Sequence, residues 1–194
     1  MPKEKGGKKN QAETVERITE QKVLPIIERY GYELWDVIFE KEGAMWYLKV
    51  LFDKADGGID DAECEEITEP LNKAVDTLSC IDLVDVFEVG SPGLDRQLRK
   101  PFHFVKMKGE KIKVTVRDEN GKTAYYSGVL GDYDENSGEF TVQTDDGAID
   151  TFRTENAQDL TAGGMEYGDY VCVTFHPSKS KSSNIYTAIK VQDA

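Results

Sequence analysis

Ser91 is the first residue whose setting suggests chemistry, because Val89-Gly90-Ser91-Pro92-Gly93 looks at first like the sharp turn that presents a nucleophilic serine. That turn needs glycine two residues before the serine, and Val89 stands there. A hydrolase would also need a base beside Ser91, and the sequence holds only His103 and His176. Gly121-Lys122-Thr123 has the ending of a phosphate-binding loop, but the loop's first glycine would fall on Val116. Asp53, Asp56 and Asp60 flank Gly57-Gly58 without supplying the first, third and fifth positions of a calcium loop. They read as a solvated turn. None of these groups implies catalysis, a metal, a cofactor or a small-molecule substrate.

What remains is the chemistry of charge. The chain of 194 residues has a formal net charge of −13, which rules out a uniformly basic nucleic-acid binder. Locally the balance changes sign. Residues 53–69 hold eight carboxylates and one lysine, and residues 132–159 hold nine carboxylates and one arginine. Residues 96–117, by contrast, carry Arg96, Arg99, Lys100, Lys106, Lys108, Lys111, Lys113 and Arg117 against Glu110 alone, a net of +7. A run of this kind can be a solvated face or a phosphate-binding strip. His103 and His176 read as surface or partner-facing residues.

These charges must be positioned by an ordinary folded scaffold, since 39% of residues are hydrophobic and 10% aromatic. MPKEKGGKKNQ is basic with no apolar segment after it, which reads as a disordered tail over residues 1–11 and as neither signal peptide nor anchor. No stretch approaches the roughly 20 apolar residues of a membrane span. Cys64, Cys80 and Cys172 lie far apart and fit a reducing compartment. The expectation is a cytoplasmic protein.

Apolar residues from Ala12 to Tyr30 recur at helical spacing, with Gly31 as the stop and Pro25 as a kink. Glu33 to Glu40 and Met45 to Asp53 alternate as the strands of a hairpin. Its aromatics Trp35, Phe39, Trp46 and Phe52 read as core. Asp60 and Glu63 form a capping box before the stripe Ile67, Leu71, Val75 and Leu78, and Pro70 predicts a bend or split near Glu69. Val84 to Val89 is a third strand. Two helices and three strands make an α+β sandwich over residues 12–92.

Ser91, Pro92, Gly93, Leu94, Asp95 and Arg96 form the turn between this unit and the next. Pro92 fixes its own φ, Gly93 can take the positive φ a type II turn needs, and Asp95 can cap a short helix. Residues 93–109 are then a turn and helical connector. From residue 110 to 194 the pattern becomes all β. Lys111 to Arg117 alternates, Asn120-Gly121 signals a hairpin, and further runs at 123–132, 139–144 and 148–153 follow at the spacing of a small barrel. Asp169 to Phe175 and Ile185 to Val191 complete this barrel or add a C-terminal hairpin or extension.

Gly31-Tyr32-Glu33-Leu34, a hairpin ending in Asp53, an acidic turn and helix with Cys64-Glu65, and Glu88-Val89-Gly90-Ser91-Pro92-Gly93-Leu94-Asp95-Arg96 together resemble the bacterial ribosome maturation factor RimP family. The resemblance runs from about residue 12 to 160. Gly90 stands where the family usually has a second serine, Gln97 where it has a proline, and Asn156 to Leu160 lack the family's cationic segment. The resemblance implies an Sm-like barrel after the α+β unit and a non-catalytic factor that binds the free small (30S) ribosomal subunit as it matures. On that reading the basic run meets ribosomal RNA. Asp60, Asp61, Glu65 and Glu66 meet a basic ribosomal protein, and the factor acts as a monomer. The rival expectation is an Sm-like regulatory RNA-binding protein, which would form rings and expose aromatics beside its basic residues.

Overall fold

A computed structural model describes residues 5–55, 57–93, 96–117, 123–154, 185–187 and 190–193. The chain divides into two compact units, the first ending at Gly93.

The first unit opens with helix α1, Lys5–Arg29, on which Val15, Thr19, Val23 and Ile27 form one fully buried stripe at four-residue spacing. The helix therefore starts within the stretch read as a disordered tail. Once its apolar stripe is docked, adding a turn upstream requires propagation only, not a new nucleus. Pro25 lies inside α1, and Gly31 (φ +81) follows its end. Strands β1 (Glu33–Glu42) and β2 (Met45–Asp53) pair antiparallel, with one bulge between Leu34 and Asp36. Strand β3 (Val86–Gly90) follows a 3-10 turn at Ile81–Leu83 and lies parallel to β2.

Helix α2, Asp61–Val75, is capped as the sequence indicates: the Glu63 N–H donates to Asp60 (2.9 Å) and the Asp60 N–H donates to Glu63 (3.0 Å). It runs unbroken through Pro70, so the predicted split is not present. Proline removes one hydrogen bond, while burial of Ile67, Leu71, Ala74 and Val75 holds both halves in one helix. The stripes of α1 and α2 share a core with Val37 and Phe39 of β1 and Leu48, Val50 and Phe52 of β2. Trp35 is buried as well, and Trp46 is half-buried and stacked on Phe39 at 4.7 Å. On the opposite face of β2, Lys49 is held by Glu40 (2.9 Å) and Glu42. Partial burial pulls the Lys49 pKa down, but the bonds to Glu42 and Glu40 outweigh it and raise the pKa overall.

In the second unit α3 is only Pro101–Lys106, within the turn and helical connector expected over residues 93–109. Lys100, before the proline, is extended (φ −112, ψ 150), as proline imposes on the residue preceding it. Strands β4 (Lys111–Arg117), β5 (Thr123–Asp134), β6 (Glu139–Gln143) and β7 (Ile149–Arg153) form an antiparallel meander. β8 (Ile185–Thr187) joins β7, and β9 (Lys190–Asp193) joins β4, giving the order β8-β7-β6-β5-β4-β9. Phe104 of α3 stacks on Tyr133 (4.7 Å) and meets Phe140 (5.0 Å), which stacks on Phe152 (5.5 Å). Each buried ring contributes about 1.5 to 3 kcal/mol. Gly128 lies where β5 and β6 crowd: a Cβ there would come within 2.3 Å of the Gln143 carbonyl oxygen. The Asp95 cap, the Asn120-Gly121 turn and the strand expected at Asp169 to Phe175 lie outside the described residues.

Candidate nucleic-acid interface

Strand β3 delivers the chain to Ser91. The Gly93 N–H donates to the Ser91 hydroxyl at 3.2 Å, and Gly93 itself has φ +76. The serine oxygen is engaged with local backbone, as a short polar side chain in a turn commonly is. Cys64 of α2 accepts from the backbone of Ser91. Burial raises the Cys64 pKa, the Asp61 carboxylate raises it further, and the Ser91 bond opposes both. The thiol is thereby kept from its reactive form. Leu94 and Asp95 lie outside the described residues.

All eight residues of the basic run belong to the second unit. Arg96, Arg99 and Lys100 lie on the irregular segment before α3, with Arg99 exposed and the other two half-buried. His103 sets the path of this segment. Contrary to the surface role expected of it, its ring is fully buried, and its Nδ1 accepts from the N–H of Arg99 (2.9 Å) and of Lys100 (3.2 Å). Two backbone donors at the start of a short helix are thus satisfied by one side chain. Satisfying those donors is what makes burial of a polar ring tolerable.

Lys106 is half-buried at the end of α3, and Lys108 is exposed just beyond it. Lys108 is ion-paired with Asp132. The pair has little stability value so near water, but it removes one cation from the strip. Lys111 and Lys113 are exposed on β4, alternating with buried Ile112 and Val114. Arg117 closes β4 opposite Thr123. The structure therefore distributes the run over two places, the α3 approach and the outer face of β4.

On α2, Asp61, Glu65 and Glu66 are exposed. Asp60 is exposed too, but its carboxylate is committed to the cap. Acidic residues in the first turn also complement the helix dipole, so this cluster has a structural use. Glu63 is paired with Lys54 at 2.7 Å. Sequence reasoning missed one residue of interest, Tyr125, which is 65% exposed on β5 with the Lys113 ammonium 5.6 Å from its ring centroid. Its signal was present in the alternation of β5, where Tyr125, Ser127 and Val129 share parity. Among the described residues no group of three His, Cys, Asp or Glu side chains is placed to hold a metal, and no helix is long and apolar enough to cross a membrane.

The first unit is a mixed three-stranded sheet with two helices on one face, ending in a serine-proline-glycine turn. Residues 22–95 match the family known as the RimP N-terminal domain.

Proposed function

We propose that this protein is a non-catalytic, cytoplasmic maturation factor that binds the free small ribosomal subunit as a monomer. The match of residues 22–95 to the RimP N-terminal domain carries this reading. In it, Arg96, Arg99, Lys100, Lys106, Lys111, Lys113 and Arg117 contact ribosomal RNA, while Asp61, Glu65 and Glu66, with Asp60 at the cap, face a basic ribosomal protein. An acidic chain can use both signs in this way. Complementary charge speeds docking on a basic protein, and a local cationic strip meets phosphate. The exposure of Arg99, Lys111 and Lys113 supports the RNA half.

In the same reading the second unit closes into an Sm-like barrel. Two observations support closure. β8 and β9 are separated by residues 188–189 alone yet pair with the two opposite edges, β7 and β4. Gly128, together with a bulge between Leu130 and Tyr133, gives β5 the kind of bend seen at barrel corners. The second reading, an Sm-like regulatory RNA binder, is favoured by the exposed Tyr125 beside Lys113.

Co-sedimentation with separated subunits distinguishes the two. The maturation factor binds small subunits and not large ones. Equal binding to both, or binding only to free RNA with assembly into rings, would favour the regulatory reading.

A further inference from the structure

The outer face of β4 and β5 is unlike the rest of this acidic protein. Register sets Lys111 against Val129, Lys113 against Ser127 and Thr115 against Tyr125, so these six side chains share a face. None is a carboxylate. On β5 and β6 the acids Asp132, Asp134 and Glu139 come only beyond the bulge that follows Leu130. At one end of this set stands the Tyr125 ring, with the Lys113 ammonium 5.6 Å from its centroid and buried Thr115 opposite it. Lys190 of β9 takes the register position on the other side of Thr115.

We propose that Tyr125 is a stacking platform for an unpaired RNA base, with Lys111 and Lys113 on the flanking phosphates. This rests on the ribosomal RNA reading and names the form of RNA recognised. A flat aromatic ring left 65% exposed offers a π face that any base can cover, whereas a duplex keeps its base faces inside its own stack. The lysines decide the class of partner. A basic ribosomal protein is repelled by them, and an RNA strand is attracted. Lys111 and Lys113 are two residues apart on one strand, about 7 Å, a span that lets both reach the backbone of one extended strand. The Lys113 ammonium lies over the ring, 5.6 Å from its centroid, so a base that covers this face displaces it, and the phosphate of that nucleotide can take it over.

The test uses the full chain, a fluorescently labelled oligouridylate, and the same strand annealed to oligoadenylate. The single strand should bind more tightly than the duplex. Tyr125→Ala should weaken single-strand binding roughly 5- to 150-fold, the range for removing one base–aromatic stack, while Tyr125→Phe should not. Lys111→Gln and Lys113→Gln should each reduce the salt slope by about one unit. A 5-iodouridine-substituted strand should give a photo-adduct that maps to Tyr125. Tyr125→Ala binding like wild type, while reversal of Arg96, Arg99 and Lys100 abolishes binding, would overturn the platform and leave the RNA reading standing. Wild-type protein that binds neither RNA nor small subunits would overturn both. Loss of affinity for a purified ribosomal protein, with RNA binding intact, would give this face to a protein and also end the proposal.

Discussion

The buried His103 ring accepts the backbone N–H of Arg99 at 2.9 Å, so the first exposed cation of the basic run stands on a backbone fixed by a side chain from α3. The bond to the Lys100 N–H (3.2 Å) fixes the next residue in the same way. His103→Ala removes the acceptor for two donors and hollows the site, and should cost about 2 to 4 kcal/mol in a denaturant titration. His103→Asn, whose amide oxygen can accept in nearly the same place, should recover part of that loss. If the alanine variant is as stable as wild type, the ring does not organise this segment.

Gly93 adopts φ +76 with nothing within 4 Å of the place a Cβ would occupy. The cost of a side chain there is therefore backbone strain alone. Gly93→Val should lose about 1 to 3 kcal/mol of stability and weaken subunit binding. Gly93→Asn should be milder, because asparagine tolerates the left-handed region. Equal stability of the valine variant and wild type would remove the conformational requirement.

Cys64 supplies a pH test. Burial and then Asp61 raise its pKa, so at pH 8 a smaller share is thiolate than in a free cysteine. Iodoacetamide should label Cys64 slowly at that pH, speed up as pH rises, and label at the ordinary rate in denaturant. Asp61→Asn should quicken the native reaction. Peptide mapping by mass spectrometry separates Cys64 from Cys80 and Cys172. Labelling of native Cys64 as fast as the denatured control would contradict its environment.

The elements that pattern alone defines were legible in the sequence. The Asp60–Glu63 capping box, the β1–β2 hairpin and the alternation of β4 depend on neighbours within a few residues, and each appears where the residues put it. Pro70 does not split α2 because its local cost is outweighed by burial against distant strands, which no local rule contains. The site was less legible. The net of +7 over residues 96–117 could not include Asp132, which neutralises Lys108 from 24 residues away. His103 looked like a surface residue because its two partners are backbone groups, which leave no mark in side-chain chemistry. Tyr125 was one strand residue among many until its exposure was known.

The central claim, that an acidic chain meets the small subunit partly through a local cationic strip, is tested most directly by changing the sign of that strip. Arg96, Arg99 and Lys100 are replaced together by glutamate, and binding to intact small subunits is measured over a salt series beside wild type. Asp61→Lys, Glu65→Lys and Glu66→Lys serve as a second variant, measured against purified small-subunit proteins. The account predicts that the first variant binds subunits more weakly, with a salt slope flatter by about one unit for each phosphate it no longer neutralises, and keeps its affinity for isolated proteins. The second should lose affinity for a basic protein without RNA present. Unchanged subunit affinity and an unchanged salt slope in the first variant would contradict the account, leaving the basic run as a solvated face.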